Sequence, residues 1–236
     1  MRHQYHHKKI LRPFTSVILF LFSVITLSSC GSQPQPEGLD PAVLIVDGVP
    51  TEPSYIMTID GHQISLGEYR FYYFFAKDQM DQGDDSYWNQ SDSDRKQQEL
   101  KNLTMQTLKS SYAIREMADQ LQLSLTDTER DQIDSDVKNQ IATLGGNDNY
   151  QKALNKKYLN DRLYRQIWET NFCRQKLWSY YFDEGGPLYI SDDAVSNDEK
   201  QTSYSSLFAQ MLATARDDLT IRLRPEYELI SIDTLQ

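Results

Sequence analysis

The chain has 236 residues, 24 Lys and Arg against 34 Asp and Glu, and a formal net charge of −10. Its 39 % apolar content and mean hydropathy of −0.63 exclude a polytopic membrane protein, and its 11 % aromatic content excludes a fully disordered chain. The acidity leaves nothing to neutralise phosphates, which argues against nucleic acid as a partner, and two Cys cannot build a disulfide scaffold.

Residues 1–29 hold no acid and four basic residues, Arg2, Lys8, Lys9 and Arg12. The apolar run Val17–Leu27 is 11 residues long. That length fits the core of a signal peptide and is too short to span a bilayer. Leu27-Ser28-Ser29-Cys30 follows and resembles a bacterial lipobox. The small residues suit a peptidase cleft, and the Cys30 thiol would carry the lipid. The competing reading is an uncleaved N-terminal anchor helix. Cleavage before Cys30 removes four cations and no anion, so the mature charge moves from −10 to −14. Two or more acyl chains tether stably where one is marginal, and anionic lipid would repel the rest of the chain. Cys173 is then the one thiol left without a lipid, and no disulfide is expected.

Residues 30–54 are rich in Pro and Gly and read as lipidated Cys plus tether, with a short strand at 43–46. Ile56 to Ser65 reads as a β-hairpin turned by Asp60-Gly61. Ser65 precedes Leu66-Gly67-Glu68, so a first helix starts near 66. Aromatics surround most of this helix, which implies burial on several sides. Residues 81–94 read as an Asp/Ser-rich loop. A second helix spans about 94–121 with a wide apolar stripe from Leu100 to Leu121. Thr126-Asp127-Thr128-Glu129 is a capping box, and Ile133, Val137, Ile141 and Leu144 give the third helix its stripe before Gly145-Gly146 ends it. A short helix covers 149–156, and a long one runs from after Asn160 to about Phe182, stopped by Gly185-Gly186-Pro187. Residues 191–203 read as polar connection, 204–217 as a last helix and 219–223 as a strand closed by Pro225. Residues 226–235 end in a helical turn.

Chemistry-bearing residues are sparse. Asp81, Asp84, Asp85, Asp92 and Asp94 lack the spacing of a calcium loop and read as a solvated loop with an N-cap. His62 reads as a surface turn residue with no nucleophile beside it. Cys173, between Phe172 and Arg174 in mid-helix, reads as a buried structural thiol. His3, His6 and His7 lie in the cleaved segment. No cofactor, metal or nucleotide is expected.

The order of these parts resembles the N-terminal chaperone domain of SurA/PrsA-type foldases, similar in layout to the client-binding part of trigger factor. The resemblance rests on Ile59-Asp60-Gly61 with Ile64-Ser65, on Leu123-Ser124-Leu125-Thr126-Asp127, and on the exit phrase at 189–195; it covers about 56–195. A parvulin isomerase module of that family has no counterpart here. Its histidines are missing, and Gly185-Gly186 echoes it only as a helix stop. The resemblance implies that 204–235 returns to pack on the first helix and that 219–223 joins the hairpin, which an isolated hairpin also needs for stability.

The expected fold is therefore mainly α: an irregular bundle of about five to six helices with a small antiparallel sheet from hairpin 56–65 and strand 219–223. The expected domains are a signal peptide at 1–29, a lipidated tether at 30–54 and a helical domain at 55–236. Tyr69, Tyr72, Tyr73, Phe75, Trp168 and Trp178 read either as core or, by the resemblance, as rings that line a groove for unfolded chains. Three client side chains burying about 100 Å² each would contribute roughly 7–8 kcal/mol before association costs of about 4 or more, hence millimolar to micromolar binding. The expected function is a lipid-anchored, extracytoplasmic chaperone-like protein that binds unfolded or partly folded secreted proteins without ATP or catalysis. An adaptor lipoprotein with one dedicated partner is the alternative, and a prolyl isomerase the more distant one.

Overall fold

Short-range chemistry starts and stops most elements. The computed structural model describes residues 43–89, 91–191 and 196–235, which belong to one unit spanning Gln33–Gln236. The signal peptide and Cys30 expected from the sequence lie outside the described residues. Strands β1 (Leu44–Val46) and β2 (Val49–Thr51) form a two-stranded antiparallel sheet, and β3 (Met57–Ile59) and β4 (His62–Ile64) a hairpin. Both turn on Asp-Gly pairs with positive φ, Asp47 at 52° and Gly48 at 76°, Asp60 at 46° and Gly61 at 81°. That backbone twist matches the right-handed twist of paired strands.

Helix α1 (Leu66–Asp81) begins where the Ser65 hydroxyl accepts the Glu68 N–H at 3.1 Å. Helix α2 (Ser93–Gln120) follows a 3-10 turn at Asp85–Asn89. Helix α3 (Asp127–Thr143) starts at the capping box of Thr126 and Glu129. It ends as the Gly146 N–H reaches back to the Ile141 carbonyl at 2.9 Å, with Gly145 at φ 79°. Helix α4 is Asn147–Asn155, and α5 (Asp161–Phe182) starts where the Asn160 side chain accepts the Leu163 N–H at 2.8 Å. Gly186 stops α5 by close approach: a Cβ there would stand 2.7 Å from the carbonyls of Tyr180 and Tyr181. Helix α6 (Asn197–Asp218), β5 (Ile221–Leu223) and the single-turn α7 (Pro225–Glu228) complete seven α-helices among the described residues.

Two expectations are corrected. The short strand expected at 43–46 is present as β1, but it pairs with β2 in a hairpin, and Val43 and Leu44 are core residues, so the expected tether at 30–54 is folded structure from residue 43. The expected polar connection at 191–203 is in part helix: α6 starts at Asn197 under a second capping box, Ser196 with Glu199. As the resemblance implies, the returning segment 204–235 packs on α1, through residues after α6. Helix α2 is central and packs against α1, α5 and α6. What reaches α1 is the chain after α6: the Tyr227 ring meets Tyr69 edge-on at 5.6 Å.

As expected, β5 joins the hairpin, giving the strand order β4-β3-β5 with both pairs antiparallel. Met57, Ile59 and Ile64 point inward and are buried. The C-terminal residues close the core from outside: Ile45 donates its N–H to the Thr234 carbonyl at 2.8 Å, and Leu44 bridges Leu235, both buried. At the far end, Ile114 and Ala118 of α2, Cys173, Leu177 and Phe182 of α5, and Tyr204 and Phe208 of α6 form one cluster.

Candidate functional site

The six aromatic candidates occupy four separate places rather than one groove. Tyr69 and Tyr73, one turn apart on α1 with ring centroids 6.0 Å apart, are fully buried beneath the C-terminal segment. Burial pushes both phenols upward in pKa, helped by Tyr227 for Tyr69 and by Asp233 for Tyr73. Tyr72 is also buried. Its hydroxyl donates to the Ser111 hydroxyl at 3.0 Å, and burial raises its pKa to about 12 against the lowering effect of that bond. These three tyrosines present no surface to a client: one face of α1 meets α2 and another the C-terminal segment, so the reading of them as client-binding residues is corrected to core.

The other three are half-buried. Phe75 stacks on Phe71 at 6.1 Å, and Phe71 meets Tyr72 edge-on at 5.1 Å. Trp168 sits in a ladder on α5. Tyr164, Trp168 and Phe172 follow each other every four residues, 6.4 Å apart at each step, and Tyr150 of α4 joins at 6.3 Å from Tyr164. A helical period of 3.6 places i and i+4 on one face, so the ladder is one strip of ring surface with Trp168 and Phe172 partly open. Trp178 packs against Phe182 at 4.8 Å and Phe208 at 5.7 Å, as part of the far cluster. Beside it, Tyr180 and Tyr189 are exposed, and the Tyr204 hydroxyl accepts the Ile190 N–H at 2.7 Å, tying residues 188–190 to α6.

Two arrangements are absent from the sequence reading. The first is a polar network inside the helices. The buried Glu68 carboxylate of α1 accepts the Tyr112 hydroxyl of α2 at 3.1 Å and the Gln166 amide of α5 at 3.0 Å. Ser111 links Tyr72 to Thr170 of α5, 3.5 Å away. The set is drawn from three helices, with members up to 98 residues apart, so no local spacing reveals it. Buried polar groups joined in this way fix the register of three helices. The second is a cleft of about 600 Å³ on the outer face of the β4-β3-β5 sheet, lined by Tyr55, Thr58, Asp60, Arg222, Leu223 and Arg224 among others. Arg224 lies over the Tyr55 ring at 4.6 Å and holds Glu226 through two bonds of 3.0 and 3.2 Å.

The remaining sequence candidates have ordinary surroundings. His62 is exposed, with its ring 5.8 Å from Tyr112. Cys173 is buried, and burial, with Asp119 second, pushes its thiol upward in pKa, which disfavours the nucleophilic thiolate. Asp81 closes α1 and spends its carboxylate on Lys77 at 2.6 Å, Trp88 Nε1 at 2.7 Å and the Gly83 N–H at 3.0 Å. Asp92 stands at the N-cap position of α2 without a capping bond and pairs with Arg95 and Lys96 instead. No group of three metal-ligating side chains occurs among the described residues.

Comparison with curated proteins and with solved structures gives no match. Among protein families, the SurA-like N-terminal domain matches residues 5–178. With well over half of its length matched, the chain belongs to the SurA-like N-terminal domain family.

Proposed function

We propose that this chain is a lipid-anchored, extracytoplasmic chaperone-like protein. It binds unfolded or partly folded secreted polypeptides without ATP and without prolyl isomerisation. Membership of a foldase and chaperone family supports the general role. The observation that carries the binding mode is the α5 ring ladder, where Trp168 and Phe172 keep part of their surface open on a rigid helix. Sequence-tolerant apolar contact with such rings suits transient capture, because each ring contributes about 1.5–3 kcal/mol at most and association costs several. Cys30 is the anchor in this reading, and the acidic surface keeps the client complex soluble.

The test is aggregation of a chemically unfolded secreted protein with residues 31–236 titrated in. Suppression near stoichiometry, reduced in a Trp168→Ala, Phe172→Ala double variant, supports the reading. No suppression at large excess refutes it, and one tight saturable protein partner would then identify an adaptor. Anchoring is tested by incorporation of labelled fatty acid in a bacterial host: a label that persists in Cys30→Ala removes Cys30 as the anchor.

A further inference from the structure

Strand β5 is an edge of its sheet. Its ladder is defined by three antiparallel pairs. The Asp60 N–H donates to the Thr220 carbonyl at 2.9 Å, the Arg224 N–H donates to the Ile56 carbonyl at 3.0 Å, and Thr58 stands opposite Arg222. In an antiparallel pair, hydrogen-bonded positions alternate along the strand. Thr220, Arg222 and Arg224 therefore turn their backbone groups toward β3, whereas Ile221 and Leu223 turn theirs to the open edge. Leu223 is 48 % exposed there. Such an edge is a template for one more strand.

The side chains add a sign. Thr58, Asp60, Arg222 and Arg224 lie on the face opposite the buried Met57 and Ile59 and line the cleft of about 600 Å³, within the size range of ligand pockets. Arg224 is engaged by Glu226, and the Asp60 carboxylate accepts the Thr220 N–H at 2.7 Å. Arg222 is exposed and has no acidic partner among the described residues. It is a cation lining the cleft in a chain of net charge −10.

We propose that the β5 edge and its cleft bind an extended polypeptide segment that carries an acidic side chain. The segment adds as a strand through the outward N–H and C=O groups of Ile221 and Leu223, and its carboxylate pairs with the Arg222 guanidinium. This selects the opposite sign from the one that the overall charge would attract. The inference deepens the chaperone reading by naming a client class, and rests on that reading only for the source of the peptide.

The experiment measures fluorescence anisotropy of a labelled ten-residue peptide of alternating Val and Thr with two central Glu, and of its Lys counterpart. Each is titrated with the full chain in mild detergent. The acidic peptide should bind at least tenfold more tightly than the basic one. Arg222→Glu should abolish or reverse that preference. Leu223→Pro removes one outward N–H and none of the bonds to β3; it should weaken the acidic peptide at least tenfold. Thermal melts confirm that each variant is folded. Equal affinity for both peptides, no binding, or indifference to Arg222→Glu overturns the inference. If aggregation is still suppressed in that case, the chaperone reading stands without this site; edge binding without aggregation suppression gives the converse.

Discussion

Tyr72 separates a core role from a client-binding role most sharply. Its ring is 4 % exposed, and its hydroxyl donates to Ser111 inside the α1–α2–α5 network. Tyr72→Ala removes a buried aromatic ring, for which about 3–5 kcal/mol is the usual loss, and leaves Ser111 short of a donor. For a domain of this size, each kcal/mol moves Tm by about 2–4 °C, so the melt should fall by roughly 6–20 °C. Tyr72→Phe keeps the ring and loses only the hydroxyl, so about 1 kcal/mol and a shift of roughly 2–4 °C are expected. Circular dichroism at 222 nm follows the melts, and aggregation suppression is measured at a temperature where each variant is folded. Suppression per folded molecule should match the wild type. An unchanged melt for Tyr72→Ala together with lost suppression would refute the core assignment.

Four further outcomes are expected. Burial holds the Tyr72 phenol at about 12 against an ordinary 10, and raises Tyr69 and Tyr73 as well. The unfolded chain therefore loses these protons first: the stability is complete below pH 10 and falls as pH rises toward 12, by about 3 kcal/mol for Tyr72 alone. Absorbance at 295 nm should show some of the 15 tyrosines titrating only as helicity collapses; all of them titrating near pH 10 in a folded chain would contradict this. Ser196→Ala breaks the α6 capping box and should cost about 1 kcal/mol in urea titration, with no change in the denaturant slope. Deleting residues 225–236 uncovers Tyr69 and unpairs Leu44, and should convert the unfolding transition into a broad one with increased binding of a hydrophobic dye. In a Cys30→Ser background, Cys173 should resist a thiol reagent in the native state and react at the rate of unfolding; rapid native labelling would show an open thiol.

Features set within about five residues were legible in the sequence. The Ser65, Thr126 and Asn160 caps, the Asp60-Gly61 turn and the Gly185-Gly186 stop are interactions between near neighbours, so residue order alone specifies them. The same chemistry was present but less conspicuous at Asp47-Gly48 and at Ser196 with Glu199. The first sits in a Pro-rich stretch. The second caps a first turn without apolar residues, so the periodic signal begins only at Tyr204. The proposal of a lipid anchor rests on the sequence alone, through the order of basic residues, apolar run and Cys30.

Tertiary structure decided which aromatics are open. Tyr69 and Tyr72 carry the same side chain three residues apart; what buries them is Tyr227 for one and the neighbourhood of Ser111 for the other. Trp168 and Trp178 lie on one helix and are both half-buried, yet the second packs against α6 through Phe208, while the first lies in the α5 ring ladder. The β5 edge that presents Arg222 exists only because strand 221–223 pairs with a strand more than 150 residues earlier. Residue type sets how much free energy a ring can contribute by burial, but exposure depends on which distant segment arrives to cover it, and no local pattern encodes that.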